Sequence, residues 1–572
     1  MMADANPDLP GLSLMSRKDL RMIVVIVLGA TLLLLRLFVL GAPMGDDAAV
    51  HYAWSDQFIQ ALKDGAWYPR WLSNANWGHG SPAMLYYTPL PFYVTAASYL
   101  SMGSVLSAMT IACWLAFVAS GLSMYWFSRF FLARNASLVA ALFYMAAPYH
   151  LFDLYQRTAL SEVWGFAWAP LFLGAVYQTA TGRNPRSIGW MAVTLALLLF
   201  THLPTALALS LVVPVYVLVL TRKPGGFARV AAGGALGIGL AAIFVVPMVL
   251  ERGYVRYDQI LKFRFQDSFL FNQIRENLNS DIFGSHYFQP HNFYSNGNWI
   301  AIGLLLLLGA ATVVIGRRLW SRNPSRSESI LRGLWAVTTV SLFMTTPLSR
   351  VIWERVPFVP EMQFPVRWLL VTCVGISVLV GAAIVALREG DRSRRLGALG
   401  LATCLAFNLG LAGIAIARAP YDPAILEKLP DQAEQANYQP IWWDQQRRPE
   451  LERNRVLVTR GQAQVIPIDD SGIEQQYRIQ ADSESVLTFH PLYFPGWVAE
   501  VDGRSAPIGP GPAGHIQLPI APGEHQVTLR FGDTGTRTLG KAISGGSGLI
   551  VLILLVLGGK GSRSRTNLRE ET

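Results

Sequence analysis

The residues best suited to chemistry are Asp46, Asp47 and His51, which follow closely after the first long apolar run, residues 22–40. That run is long enough to cross a bilayer, so the three polar residues stand at a membrane boundary. Charged groups are costly there unless they face water, one another or a ligand. A carboxylate in this place can take a proton from an incoming hydroxyl while a displacement occurs at a neighbouring carbon. These residues therefore predict a catalytic site in the first outer loop, residues 42–104.

Two other uses of these residues stay open. An aspartate before an amphipathic stretch also caps the backbone amides of a helix N-terminus, which suits the helix dipole. Asp46 fits a cap and a functional role equally well. Asp47 lies one helical turn before His51 on the same face, which favours contact between the carboxylate and the imidazole. Asp46, Asp47 and His51 could also hold a divalent metal ion, but this ligand set is not diagnostic of one.

Arg157 and Glu162 form a second candidate pair, in the loop at about residues 150–162. The simpler interpretation is an ion pair between residues i and i+5 that holds the loop together. The functional alternative is a second acidic group beside an arginine that binds a phosphate or a sugar hydroxyl. Both interpretations put the pair on the same side of the membrane as the first loop.

His202 and Arg367 complete the polar residues on this side. His202 lies in the very short loop 201–205, where it either caps two connected helices or contacts a ligand. Arg367 is a positive charge at the outer end of a predicted span, against the usual inside bias, so it needs a partner. A lipid-linked phosphate would provide one, and so would Glu354 or Glu361.

Further candidates for substrate binding in the first loop are Arg70, His79 and Tyr87. The loop is also rich in aromatic side chains, which suit either the stacking of a sugar or the aromatic belt of a membrane interface. These aromatic residues are Trp67, Trp71, Trp77, Tyr86 and Tyr87.

The composition shows what must position these residues. With 572 residues, of which 52% are hydrophobic and 15% charged, the chain is too apolar for an ordinary soluble enzyme. Its formal charge of +10 comes from Lys and Arg in short loops between apolar runs, which indicates membrane topology rather than nucleic-acid binding. Cys113, Cys373 and Cys404 all lie in apolar runs, so we expect no disulfide and no cysteine metal site.

Length and flanking charge predict about twelve membrane-spanning helices, with both chain ends in the cytoplasm and the long loops outside. The apolar run 84–102 is placed outside the bilayer core as a surface helix, because counting it as a span would move most basic loops to the outside. The predicted cores are 22–41, 105–127, 136–150, 163–180, 187–201, 204–220, 228–250, 299–316, 330–347, 367–387, 396–417 and 545–559.

After residue 418 the long apolar runs stop and short alternating segments begin, separated by turns such as Asp502-Gly503. This pattern predicts a β-sandwich-like domain on the outer surface. The chain is thus expected to be a polytopic α-helical membrane protein with a C-terminal, extracytoplasmic β-rich domain. The predicted divisions are a cytoplasmic tail (1–21), a transmembrane catalytic domain (22–417), the β domain (418–540) and a final span with a basic cytoplasmic tail (541–572).

Several motifs resemble known membrane enzymes. An outer loop with an acidic residue after the first span, followed by surface helices and a many-span bundle, resembles the GT-C superfamily of glycosyltransferases. More narrowly, the chain resembles a bacterial membrane family named as 6-pyruvoyl-tetrahydropterin-synthase-related. The matching motifs are Asp47-x-x-x-His51, Gly65-x-x-Tyr68-Pro-Arg-Trp71, Gly78-x-Gly80-x-Pro82, Tyr87-x-Pro89-Leu90, Arg157 with Glu162, and Gln363-Phe-Pro-x-Arg367. The segment from Tyr493 to His525 resembles the outer domain of another GT-C-like bacterial group.

The resemblance implies a polyprenyl-phosphate-linked sugar as donor and a cell-envelope glycan, lipid or protein as acceptor. It implies a site on the periplasmic side of a bacterial cytoplasmic membrane. Asp47 would be the general base, with Asp46 as second choice, and Arg367 would hold the lipid phosphate. Arg157 and Glu162 would orient the substrates, although Asp153 competes with Glu162 as the later acidic residue. The chain has no glycine-rich phosphate loop, so no nucleotide is expected, and no residue supports the pterin label.

Rival interpretations come from other classes. A flippase or transporter for a lipid-linked sugar would place charges near the bilayer midplane, and the predicted helices carry almost none. A glycan polymerase or ligase with a lipid-diphosphate donor would need basic outer loops, and the loop 251–298 supplies some. Its basic residues are Arg252, Arg256, Lys262, Arg264 and Arg275. A scaffold protein would leave the clustered acidic, histidine and arginine residues unexplained.

Overall fold

Long apolar helices make up most of the chain up to residue 417, and short strands follow. The computed structural model describes residues 17–41, 43–257, 265–271, 293–388, 395–421, 438–444, 455–469 and 472–567. The helices are α1 (Arg17–Leu33), α2 (Leu35–Leu40), α3 (Ala48–Lys63), α4 (Leu90–Met102), α5 (Val105–Arg129), α6 (Arg134–Met145), α7 (Pro148–Phe152), α8 (Leu160–Thr181), α9 (Pro185–Thr201), α10 (Leu203–Leu220), α11 (Pro224–Leu240), α12 (Ala242–Leu250), α13 (Phe293–Leu319), α14 (Arg326–Met344), α15 (Arg350–Arg355), α16 (Trp368–Arg388), α17 (Arg395–Ala417) and α18 (Gly535–Asn567).

Each predicted membrane core coincides with one helix or two consecutive helices, apart from a few residues at the ends. Within the described residues, 7 helices are long and apolar enough to span a membrane, or 8 if α11 and α12, which meet at a 75° bend, form one span. The four predicted spans outside that count are α1 with α2, α8, α9 and α14; α9 has 17 residues, and α1 and α2 are interrupted at Leu34. The apolar run at 84–102 contains the 13-residue helix α4, which is shorter than the helices counted as possible spans.

The C-terminal part forms two antiparallel sheets, which confirms the predicted β-rich domain. One sheet has the order β1-β4-β8-β7 and the other β2-β3-β9-β5-β6. Alternate residues of the strands face inward, so that Tyr477, Ile479, Phe489 and Leu529 are buried in one apolar core. The strands are β1 (Val456–Arg460), β2 (Ala463–Asp469), β3 (Glu474–Ala481), β4 (Ser485–Leu492), β5 (Trp497–Val501), β6 (Arg504–Ala506), β7 (Gly509–Pro510), β8 (His515–Ile520) and β9 (Gly523–Phe531).

The β domain is fixed to the helices by a buried ion pair between Glu251, at the end of α12, and Arg537, in the first turn of α18. Arg537 Nη2 donates to Glu251 Oε2 at 2.8 Å and to the carbonyl of Pro495 in the β domain at 2.7 Å. The hydroxyls of Thr534 and Thr536 donate to the other carboxylate oxygen. Both charged side chains are almost completely buried, so each depends on the other for compensation.

Replacing one partner should therefore be costly. We expect Glu251→Gln to lower the free energy of unfolding by about 3–5 kcal/mol, because it leaves the Arg537 charge buried without its counter-ion. Thermal unfolding of the purified full chain in detergent measures the effect. As a control, Arg350→Ala removes an exposed ion pair with Glu354 and should cost less than about 1 kcal/mol. Equal losses in the two variants would contradict the role of the buried pair.

Candidate active site

The first loop approaches the segment before α8 through direct backbone contacts. The amides of Asp46 and Asp47 donate to the carbonyls of Gln156 at 3.3 Å and Arg157 at 2.9 Å. A Cβ atom at Gly45 would lie 2.4 Å from backbone atoms of Gln156 and Arg157, so only glycine fits here. This contact holds Asp47 at the start of α3 beside Arg157.

The segment that receives the loop has an unusual backbone. Asp153–Arg157 forms a π-helical turn, a conformation frequent at functional sites, and Thr158 follows with φ of 55°. A positive φ is rare for a β-branched residue and needs compensation. The Thr158 hydroxyl supplies it, because it donates to the Pro43 carbonyl at 3.1 Å and accepts from the Gly45 amide at 2.9 Å. The strained turn is thereby tied to the first loop.

A buried cluster of charges surrounds Arg157. Its Nη1 lies 2.5 Å from Asp153 Oδ1 and 2.7 Å from Glu162 Oε2, and all three side chains are almost fully buried. The Tyr149 hydroxyl donates to the other oxygen of Glu162 at 2.7 Å. Arg157 Nη2 lies 3.5 Å from Asp47 Oδ2, and the Asp47 side chain is 44% exposed. Of these three carboxylates, Asp47 is the one that solvent or a substrate can reach.

The structure shows whether the Asp47 side chain makes either of the two contacts considered for it, a helix cap or a bond to His51. Asp47 is the N-cap residue of α3, but its side chain makes no capping hydrogen bond. It does not bond to His51 either. The His51 Nδ1 lies 2.8 Å from the Thr158 carbonyl and its Nε2 lies 2.9 Å from the Tyr87 hydroxyl. Burial lowers the pKa of His51, so a neutral ring links the first loop to the start of α8.

The suggested metal site at Asp46, Asp47 and His51 does not fit this geometry. Both ring nitrogens of His51 are already engaged by the protein, which leaves neither lone pair directed at an ion. In the described part of the chain, no group of three or more His, Cys, Asp or Glu residues is arranged to hold a metal ion.

Arg367 and His202 approach the cluster from just before α16 and from between α9 and α10. Arg367 Nε lies 3.6 Å from Glu162 Oε2, while its Nη1 donates to the Met362 carbonyl at 2.7 Å. His202 Nε2 lies 3.9 Å from the same Glu162 oxygen, and its Nδ1 contacts the Thr205 hydroxyl at 2.8 Å. Burial lowers the pKa of His202 to about 3, so the ring is neutral at physiological pH. Glu162 is thus the common partner of residues from three separate segments of the chain.

The acidic partners considered for Arg367 are engaged elsewhere. Glu354 pairs with Arg350, and Glu361 accepts a hydrogen bond of 2.7 Å from the Tyr257 hydroxyl. The acidic residue next to Arg367 is instead Glu162. Sequence spacing could not reveal this contact, because residues 162 and 367 meet only when α8 and α16 pack together.

Two predicted site residues lie away from the cluster. Arg70 pairs with Asp533, just before α18. His79 lies in the interface with the β domain, where its Nδ1 is 3.1 Å from His515 Nε2 and its ring centroid is 4.2 Å from that of His490. Both residues come from the first loop, as predicted, but they anchor that loop to the β domain instead of facing the carboxylates. The buried Trp71 has the same use and packs on Phe494, Trp497 and Phe531.

These contacts assemble Asp47, Arg157, Glu162, Arg367, His51, His202 and Tyr87 into one site, with Asp46 exposed at its edge. The sequence matches, over residues 84–414, the family described as 6-pyruvoyl-tetrahydropterin synthase related domain, membrane protein. Because this match covers more than half of the chain, the protein belongs to that family. The resemblance drawn from the motifs is thereby confirmed. No curated protein matches the sequence.

Solved membrane glycosyltransferases show a partial likeness in fold. The arabinofuranosyltransferase AftD from Mycobacteria is 17% identical with a TM-score of 0.42, covering 73% of this chain and 28% of AftD. The Archaeoglobus fulgidus oligosaccharyltransferase is 14% identical with a TM-score of 0.38, covering 74% of this chain and 57% of that one. ArnT from Cupriavidus metallidurans, solved with undecaprenyl phosphate, is 14% identical with a TM-score of 0.37, covering 73% and 74%. This chain thus spans 28% of the length of AftD, and the chemistry has to come from its own residues.

The close approach at Gly45 gives a first test of this geometry. We expect Gly45→Ala to cost about 1–3 kcal/mol of stability through overpacking and to displace Asp47 from Arg157. Thermal unfolding in detergent measures the loss. Gly410→Ala is the control, since a Cβ at this helical glycine meets no atom within 4 Å. If Gly45→Ala unfolds like the wild type, the loop does not depend on this contact.

The histidines between the first loop and the β domain predict a pH dependence. Burial lowers the pKa of His490 to about 4 and that of His515 to about 3, from 6.5 in an unfolded chain. Their neutral forms thus contribute stability that is complete above pH 6.5 and is lost as the pH falls from 6.5 toward 4, because the unfolded chain binds the protons first.

Unfolding of the wild type and of His515→Gln, compared at about pH 7.5 and about pH 5, measures this contribution. The glutamine variant has one titrating group fewer, so its stability should fall less on acidification. An equal fall in both proteins would show that His515 does not carry the effect.

Proposed function

We propose that this protein is a GT-C-type glycosyltransferase that moves a sugar from a polyprenyl-phosphate-linked donor to an acceptor of the cell envelope. The acceptor is a glycan, lipid or protein hydroxyl at the outer face of the cytoplasmic membrane. The observation that carries the proposal is the pairing of one exposed carboxylate, Asp47, with a buried, arginine-containing cluster at the ends of membrane helices. Such an arrangement can accept a proton and bind a phosphate within one site.

The proposed reaction is a single inverting displacement. The acceptor oxygen attacks the anomeric carbon and forms the new C–O bond, while the bond from that carbon to the phosphate oxygen breaks. Asp47 takes the proton of the acceptor hydroxyl, and the polyprenyl phosphate leaves with the electron pair. Arg367 binds this phosphate, because its guanidinium lies in the cluster and is 13% exposed.

Arg157 and Glu162 act as positioning residues in this proposal. Arg157 holds the Asp47 carboxylate from the buried side, at 3.5 Å. Glu162 contacts the guanidinium groups of both Arg157 and Arg367, at 2.7 and 3.6 Å. Glu162 thus couples the arginine near the base to the arginine near the leaving group. No residue of this arrangement requires a nucleotide.

The decisive experiment follows release of undecaprenyl phosphate from a panel of undecaprenyl-phosphate sugars, using purified protein and envelope extract as acceptor. We expect Asp47→Asn to lower turnover by about 10²–10⁴-fold, because the amide cannot take the proton, while binding of the donor persists. Arg367→Ala should weaken binding of the donor as well. Asp64→Asn, at the exposed C-terminal end of α3, is the matched control and should transfer normally.

The outcomes separate the proposal from its rivals. Wild-type turnover by Asp47→Asn would exclude the general-base role. Labelled lipid that crosses reconstituted vesicles without loss of its sugar would indicate a flippase instead. Preference for a lipid-diphosphate donor would indicate a glycan polymerase or ligase.

The basic residues that suggested such a donor are partly engaged by the protein itself. Arg256 donates to the Trp443 carbonyl, and Arg252 lies 3.6 Å from Glu361. Lys262, Arg264 and Arg275 lie outside the described residues.

A further inference from the structure

The segment that precedes strand β1 lies against the first loop. Residues 438–444 pair with the residues that follow α12: the Arg256 amide donates to the Gln439 carbonyl at 3.0 Å, and the Ile441 amide donates to the Tyr254 carbonyl at 3.1 Å. The matched family region ends at residue 414, so this segment lies beyond it. Its first described residue, Tyr438, is held by this pairing beside the first loop.

The ring of Tyr438 completes an aromatic wall. It stacks on Tyr86 with centroids 6.0 Å apart and planes at 16°, and it meets Trp54 edge-on at 5.8 Å. Trp54 in turn meets Tyr87 at 4.9 Å, and Tyr87 contacts His51 in the active site. Trp54 and Tyr86 are buried, whereas Tyr87 and Tyr438 are partly exposed. The wall therefore presents Tyr87 and Tyr438 to whatever enters the site.

The aromatic contacts through Trp54 and Tyr87 connect Tyr438 to His51 in the active site, and the charge of Arg367 acts on both phenols. Burial raises the pKa of Tyr438 to about 12, and the positive charge of Arg367 opposes that rise. Arg367 acts on the Tyr87 phenol in the same sense. Both phenols stay protonated at physiological pH and can donate hydrogen bonds. The wall that ends at His51 therefore offers amphipathic aromatic side chains to a sugar whose phosphate is held in the cluster that contains Arg367.

We propose that Tyr438 binds the sugar ring of the polyprenyl-phosphate donor, so that the segment before strand β1, residues 438–444, supplies part of the binding site for the sugar. This inference rests on the proposed function, because it takes Arg367 as the site of the donor phosphate. Tyr438 offers one ring face or edge to the sugar and its hydroxyl to a sugar oxygen, while Tyr86 and Trp54 fix its orientation. Residues 438–444 thereby take part in the choice of sugar.

Binding of two kinds of probe tests the inference without knowledge of the acceptor. The probes are undecaprenyl phosphate alone and a panel of undecaprenyl-phosphate-linked sugars, titrated against the full chain in nanodiscs. The wild type should bind at least one glycosylated probe more tightly than the bare carrier. Tyr438→Ala should lose about 3- to 10-fold in affinity for that probe and nothing for the bare carrier, as expected for one aromatic contact. Tyr438→Phe should retain part of the gain.

Tyr254→Ala is the matched control. Tyr254 stacks on Trp442 at 6.0 Å, so this variant removes an aromatic contact between the same two segments without touching the contacts of Tyr438 with Tyr86 and Trp54. It should bind both kinds of probe like the wild type. An equal loss in Tyr254→Ala would mean that packing of the segment, and not sugar contact, causes the effect, and would overturn the inference.

The remaining outcomes are also distinct. Equal loss for the bare carrier and the glycosylated probe in Tyr438→Ala would overturn the inference, since Tyr438 would then serve the lipid or phosphate. A wild type that binds the bare carrier but gains nothing from any sugar would overturn it as well, while donor binding itself stands. A wild type that binds neither kind of probe would overturn the proposed function.

Discussion

The buried charge of Arg157 is the constraint on which the rest of the site depends. A guanidinium removed from water is costly unless carboxylates and hydrogen bonds compensate it, and removal of one partner from such a group destabilises a protein strongly. Asp153 and Glu162 supply that compensation from the π-helical turn and from α8. Glu162 then draws Arg367 and His202 toward the same point. One buried charge thus brings together residues from helices that are distant in sequence.

Backbone contacts fix the first loop against this buried cluster. Gly45 lets the first loop touch the backbone of Gln156 and Arg157, and the left-handed Thr158 bonds to the same loop. On its other side, the loop is anchored to the β domain through Trp71 and His79. Asp47 therefore belongs to a loop that is fixed at two places, at Gly45 and at Trp71 with His79. A general base needs such a fixed position, because proton transfer requires hydrogen-bond distance to the acceptor hydroxyl.

Much of this arrangement could be predicted from the sequence, and the failures have physical causes. Apolar length located the helices, strand alternation located the β domain, and the shared side of the membrane grouped Asp47, Arg157, Glu162 and Arg367. Arg70 and His79 were misplaced because a polar residue in a loop looks the same whether it faces a ligand or a neighbouring domain. Their partners, Asp533 and His515, lie far away in the sequence. Tyr438 lies in no helical or strand pattern of the sequence, so only the fold reveals its contact with Trp54 and Tyr86 of the first loop.

Exposure and bonding distinguish the roles of the two central carboxylates. Glu162 accepts hydrogen bonds from Tyr149 and Arg157 and is almost completely buried, so an acceptor hydroxyl has neither access to it nor a free oxygen there. The Asp47 carboxylate lies 3.5 Å from Arg157 Nη2, a longer contact than those of Glu162, and its side chain is 44% exposed. When Asp47 takes a proton, Arg157 keeps its two close partners, and the buried charges stay compensated. The proton can thus come and go at the one carboxylate whose neutralisation leaves the scaffold intact.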